Sequence, residues 1–133
     1  LTYTSLIWIL IDRKEYQKAV VAADEVLAEF PGNRIVKWGK ARALEEIDRR
    51  EAIRVYKNIL ENHPKSGNIY LYNEVLLLHK IAMNYEKLGD KKSALEYCNY
   101  VLAISGYSDF DKERLKDRLK RVKKLKNDLE KAL

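Results

Sequence analysis

Two histidines, one cysteine and three close pairs of carboxylates are the residues of this 133-residue chain that could do chemistry. His63 and His79 stand sixteen residues apart, and no Cys or carboxylate lies at metal-ligand spacing around either. No HExxH, CxxC or Gly-rich phosphate loop occurs. Glu45-Glu46, Asp24-Glu25 and Asp109/Asp111 are paired acids, but on a helix or at a helix cap such pairs are ordinarily solvated charge. Cys98 falls at a helix-packing position and reads as a small buried hydrophobe rather than a reactive thiol. The expectation is a chain that is not an enzyme, with no cofactor, no metal and no small-molecule substrate.

The elements around these residues are helical. Hydrophobic residues make up 47% of the chain and charged residues 35%, with only five Gly and two Pro. That composition excludes both a disordered segment and a membrane span. A chain this long can bury roughly 68% of its unfolded surface. The net charge of +6 permits an acidic partner without requiring one. One cysteine builds no internal disulfide framework, so cytoplasm and periplasm are both compatible and the compartment stays unknown. The chain begins at Leu1 with no Met, and no signal peptide is visible in it. A fragment of a longer protein is expected.

The stretch from Leu78 to Leu102 organises the rest. Leu78, Ile81, Ala82, Tyr85 and Leu88 draw one apolar stripe along a helix. Gly89 ends it, Asp90 caps the next helix, and a second stripe follows at Ala94, Leu95, Cys98, Val101 and Leu102. So short a turn makes the two helices antiparallel neighbours. Ala82 and Ala94 are small enough to let the backbones approach.

The pattern repeats around Ala19, Ala52 and Ala94. The next residue is Val20, Ile53 and Leu95; four on come Ala23, Tyr56 and Cys98; seven on, Val26, Ile59 and Val101; twelve on, Pro31, Pro64 and Gly106. With Leu78, Ala82, Tyr85, Gly89, Ala94 and Leu102 this resembles the tetratricopeptide repeat (TPR), a helix–turn–helix unit of about 34 residues. The third copy carries the resemblance best, and the second carries it mainly through its second helix.

The resemblance implies an all-α, right-handed alpha-alpha superhelix, a TPR-like solenoid of three helical hairpins plus a long C-terminal helix. The units run over about residues 1–32, 33–66 and 67–106, with a capping helix over 108–132, in a single TPR-like domain. In the first unit one helix ends near Asp12 and the next spans Lys14 to Glu29. The run Leu6–Ile11 is apolar on every side, too short for a bilayer but suited to neighbours all round. The second unit turns at Asp48-Arg49-Arg50, one residue shorter than the others and without Gly. The spacing from Ala52 to Ala94 is 42 residues against 33 from Ala19 to Ala52. The extra residues suggest a turn at Lys65-Ser66-Gly67, a cap at Asn68 and a long helix from Ile69 to Leu88. Ser108 or Asp109 caps the last helix, whose apolar line is Leu115, Leu119, Val122, Leu129 and Leu133.

In the resembled family the first helices of successive units line a groove. Carried over position by position, that groove takes Thr4, Ser5 and Trp8, then Trp38, Gly39, Arg42 and Glu46, then His79, Lys80, Met83 and Lys87. Trp8, Trp38, Arg42, His79, Lys80 and Met83 are the candidate contacts. Trp, Arg and Met are enriched at protein interfaces. The implied function is a non-catalytic scaffold holding a peptide or protein segment, with Arg42 and Lys80 selecting an acidic or polar one. A blander reading packs Trp8 and Met83 between units. Some family members grip chaperone-tail carboxylates with fixed Lys, Asn and Arg residues. The matching places here are Thr4, Trp8, Gly39, Leu76 and Lys80, of which only Lys80 is a cation, so such binding is not expected.

Two other surfaces are candidates. Tyr70, Tyr72 and Leu76 on the extended helix could form a second interface or a homo-oligomer contact, unless they pack on the second repeat unit or on the C-terminal helix. Ten Lys and Arg against six acids from Ser108 onward could meet nucleic acid. No aromatic follows Phe110 to stack a base, so a solvated capping face is the favoured reading there.

Overall fold

The computed structural model describes residues 2–63 and 70–133. Among them the regular structure is entirely helical: α1 (Tyr3–Asp12), α2 (Tyr16–Glu29), α3 (Arg34–Ile47), α4 (Arg49–Glu61), α5 (Tyr70–Lys87), α6 (Lys91–Ala103) and α7 (Asp109–Ala132). They pack as two compact units, Leu1–Glu61 and Asn62–Leu133. The expected turn at Lys65-Ser66-Gly67, the cap at Asn68, Pro64 and Ile69 lie outside the described residues.

In the first unit α1 packs on α2 and on α3, α2 on α3, and α3 on α4. Neighbouring hairpins thus stack, as in a TPR-like solenoid. In the second unit α5 packs on α6, and α7 covers α6 and part of α5. The repeat register shows in the core of each unit. Ala19, Ala52 and Ala94 are 0% exposed, and so are Ala23, Tyr56 and Cys98 four residues on. Alanine at the first of these places removes the side-chain bulk that would hold two helices of a hairpin apart.

Helices α3, α6 and α7 each begin at a side-chain cap, and those at Asp90 and Ser108 are the ones expected from the sequence. Asn33 accepts the Val36 N–H at 3.2 Å, Asp90 the Ser93 N–H at 3.1 Å and Ser108 the Asp111 N–H at 3.1 Å. Each satisfies a donor that the first helical turn leaves open. Two hairpins turn in the same way. Gly89 sits at φ 83°, and the Asp90 N–H reaches back to the Tyr85 carbonyl. Lys14 sits at φ 61°, and the Glu15 N–H reaches the Leu10 carbonyl. The left-handed residue is what lets the chain fold back onto its own last turn, and Lys14 adopts it against the preference of a side chain.

Four boundaries differ from expectation. The second helix starts at Tyr16 rather than Lys14, because Lys14 is spent on the turn. Arg49 and Arg50 belong to α4, leaving Asp48 as the whole connection between α3 and α4. No left-handed residue is used there; the Asp48 carboxylate accepts the Glu51 N–H at 3.2 Å instead. The described part of the long helix is Tyr70–Lys87, with Leu88 already past its end. Leu133 is exposed beyond α7 and takes no part in that helix's buried line.

One glycine sets the distance between α1 and α3. A β-carbon on Gly39 would stand 2.9 Å from Ile7 Cγ2 and 3.7 Å from the Trp8 indole. Ile7 is buried and branched at Cβ, so it has no free rotamer to yield. Gly39→Val should therefore cost about 2 kcal/mol by overpacking, read as a lower urea midpoint. Gly32→Ala, where a β-carbon meets nothing within 4 Å, should stay within about 0.5 kcal/mol of the parent.

Candidate functional site

The α3 helix carries the groove residues of the first unit, and its register sorts them. At about 100° per residue, Ile35, Arg42 and Glu46 fall on one outward stripe. Gly39 lies on one side of it, toward α1, and Trp38 on the other, toward α4. Trp8 rests its indole against Gly39, so it packs between hairpins while keeping a half-exposed surface. Thr4 and Ser5 lie one turn earlier on α1. On the first unit, Trp8 and Gly39 thus lie on the α1 side of the Arg42 stripe and Trp38 on its α4 side.

That face is held by polar contacts. The Trp38 ring meets Tyr56 of α4 edge-on, with centroids 6.4 Å apart and planes at 82°. The buried Tyr56 hydroxyl donates to Glu45 Oε1 at 2.6 Å. Burial, then the Glu45 charge, pushes that phenol well above its usual pKa, so it remains a donor. Arg42 Nη1 lies 3.2 Å from Glu46 Oε1 and 3.8 Å from Glu45 Oε2. Arg42 is thus already balanced by carboxylates of its own helix. A ligand carboxylate must displace one of them. Helix pairs of this type are worth only about 0.3–0.5 kcal/mol, so the exchange is cheap.

Ile35 was not among the residues singled out from the sequence, yet it is 63% exposed. The signal was there. It lies three, four and seven residues before Trp38, Gly39 and Arg42, the spacing of a single helix face.

In the second unit the candidates divide. Leu76, Lys80 and Met83 are half-buried on α5, at the four- and three-residue spacing of one stripe, which Lys87 continues. His79 points elsewhere. It is 2% exposed, and its Nδ1 lies 3.0 Å from Arg118 Nη1 of α7. His79 cannot present itself to a ligand as a groove residue, because α7 covers it. Its pKa drops to about 4, through burial first and then the charges of Arg118, Arg121 and Lys80. The neutral ring therefore accepts a hydrogen bond from the guanidinium.

The second candidate interface is partly used within the same unit. The Arg114 guanidinium of α7 stands 3.6 Å from the centre of the Tyr72 ring and pairs with Asp111 at 2.9 Å. Tyr72 is thus covered by α7, the packing that the sequence offered as the alternative. The Tyr70 carbonyl lies 3.2 Å from His63 Nε2. Cys98 is buried and its thiol pushed up to about 11 by that burial, which suits its packing role. Among the described residues, no group of three or more His, Cys, Asp or Glu could hold a metal ion. No described helix is long and apolar enough to cross a membrane.

Residues 37–66 match the family model of the tetratricopeptide repeat. The match falls on most of α3 and all of α4, the hairpin whose first helix carries the least of the repeat pattern. No curated protein and no solved structure matches the chain.

Burial of His79 has a pH consequence. The folded state refuses the proton until about pH 4, whereas an unfolded histidine takes it near 6.5. Stability should be complete above about pH 6.5 and fall as the pH drops toward 4. Between pH 7.5 and 5 this one group should remove about 2 kcal/mol. His79→Gln keeps an acceptor for Arg118 and cannot titrate. Denaturant melts at the two pH values should show a smaller loss for that variant by about this amount.

Proposed function

We propose that this chain, whose matched repeat and stacked hairpins support a tetratricopeptide-repeat protein, is a non-catalytic scaffold. It holds a peptide or protein segment against the α1/α3 face. Such repeats suggest protein partners in general. The observation that carries the specific reading is the stripe of Ile35 and Arg42, flanked by the two half-exposed indoles of Trp8 and Trp38.

The mechanism follows from the geometry of that face. An apolar side chain of the partner covers Ile35 and the indole edges, and full burial of one such side chain is worth about 1.5–3 kcal/mol. A partner carboxylate takes the Arg42 fork from Glu46, which fixes register and selects an acidic or polar segment. Leu76, Lys80 and Met83 form a comparable stripe on the second unit, with Lys80 as its cation and the adaptable Met83 thioether beside it. The backbone of each helix is already paired, so side chains alone do the recognising.

A second reading rests on one stretch of α7. Arg118, Lys120, Arg121, Lys123, Lys124 and Lys126 follow one another with no acid between Asp117 and Asp128. Phosphate contacts from the exposed members would bind nucleic acid without reading its sequence. Affinity for single-stranded RNA would then fall about tenfold or more from 50 to 200 mM salt. Absence of binding at 50 mM salt removes this reading.

Ile35→Asp combined with Arg42→Glu should cut capture of the protein's partners at least about tenfold, measured by pull-down with quantitative mass spectrometry. The melting temperature should fall by no more than about 5 °C, since Ile35 is exposed and an acid at position 42 only adds like-charge contacts with Glu45 and Glu46 to the loss of two weak helix pairs. Unchanged capture would show that the α1/α3 face is not the docking face. Trp38→Ala is a poorer test, because it also strips an aromatic contact from Tyr56.

A further inference from the structure

A second feature of α3 lies on the side of the helix away from Arg42. Lys37 and Lys40 project there, roughly 150° around the helix from the Ile35/Arg42 stripe at 100° per residue. With Leu27 of α2 and Glu51, Arg54, Val55 and Asn58 of α4 they line a cleft of about 230 Å³. Two helices, α3 and α4, therefore bring three cations and one acid, Glu51, to a concavity whose apolar lining is Leu27 of α2 and Val55 of α4.

The charges in the cleft do not balance. Lys40 Nζ lies 2.6 Å from Asp24 at the border. Arg54 pairs with Glu51, and the hydrogen bond from Arg54 holds the Glu51 carboxyl below its ordinary value, so that acid stays ionised. Lys37 is different. Its Nζ donates to the neutral amide oxygen of Asn58 at 2.9 Å, and among the described residues it forms no ion pair with a carboxylate. An ammonium has three donors, and this one, on a half-buried residue, holds a neutral amide at the solvent edge, so a carboxylate can reach it by displacing water alone.

We propose that this α2/α3/α4 cleft is a second docking site, which takes the side-chain carboxylate of an acidic peptide segment. The incoming carboxylate sits on Lys37, with Arg54 at the mouth, and an adjacent apolar side chain covers Leu27 and Val55. The volume argues for this occupant. It falls below the roughly 300–1,000 Å³ of ordinary small-molecule sites and suits one acidic side chain with part of its neighbour. With Lys40 and Arg54 paired, the charge left over is that of Lys37, which favours an anion over a cation. The site is independent of the α1/α3 face, being carried by the other side of α3.

The test is an NMR titration of the ¹⁵N-labelled chain with three probes: an acetylated, amidated peptide alternating leucine and glutamate, the same peptide with glutamine for glutamate, and inorganic phosphate. The glutamate peptide should shift the amides of Lys37, Lys40, Arg54 and Asn58 in a saturable way, and the glutamine peptide should not. Lys37→Met, which keeps the stem and removes the charge, should weaken binding about fivefold or more, and Arg54→Gln should weaken it less. Arg54 is exposed enough that its variant tests the site even if Lys37→Met perturbs packing. Ile35→Asp should leave the binding unchanged, which separates this site from the α1/α3 face. The proposal is overturned by shifts that spare these residues, by an affinity that Lys37→Met leaves intact, or by phosphate binding as tightly as the glutamate peptide.

Discussion

The structure depends on how closely two helices of a hairpin can approach. At each crossing an alanine is fully buried, Ala19, Ala52 or Ala94, and a second buried side chain follows one turn on. The second place changes size from Ala23 to Tyr56 to Cys98. The first does not: each of these alanines is buried to 0%, and a larger group in so closed a place would push the hairpin apart. Gly39 applies the same constraint between hairpins. There the neighbouring helix supplies Ile7 and Trp8 in place of a side chain of its own.

Close packing also governs the turns. Gly89 and Lys14 occupy corresponding places five residues before Ala94 and Ala19, and both are left-handed. The middle hairpin lacks such a residue and connects through Asp48 alone. Its carboxylate caps the start of α4, as that of Asp90 caps α6, but no left-handed residue closes the end of α3. The hairpin is kept and the way of closing it changes. This accounts for a turn that is shorter than its neighbours without a loss of register.

Charged groups on α3 show how one helix serves two faces. Arg42, Glu45 and Glu46 knit the outward side, while Lys37 and Lys40 reach partners on α4 and α2. Most of these pairs are exposed or half-exposed, and such pairs add little stability. Their value is in orientation. They hold long side chains in place beside apolar patches, and they exchange readily for a ligand's charges. The buried His79–Arg118 contact is of another kind. It joins α5 to α7 with a neutral acceptor, and protonation of that acceptor is opposed by the burial that made it.

The sequence by itself determined the helices, the hairpin register and the caps. Those depend on neighbours three, four or seven residues away, and spacing expresses them directly: Ala19 with Ala23, Asn33 with Val36, Asp90 with Ser93. It also placed Trp38, Gly39 and Arg42 on one helix face, and Ile35 was legible there by the same spacing. Tertiary structure alone decided what each face meets. His79 and Lys80 are adjacent in the chain, yet α7 covers the first and leaves the second half-exposed, because a partner helix more than twenty residues away chooses the side. The meeting of Lys37 with Asn58, and the cleft that Leu27 and Val55 both line, likewise exist only once α2, α3 and α4 have packed. Burial and charge convergence are properties of surfaces brought together, and a one-dimensional pattern carries no record of them.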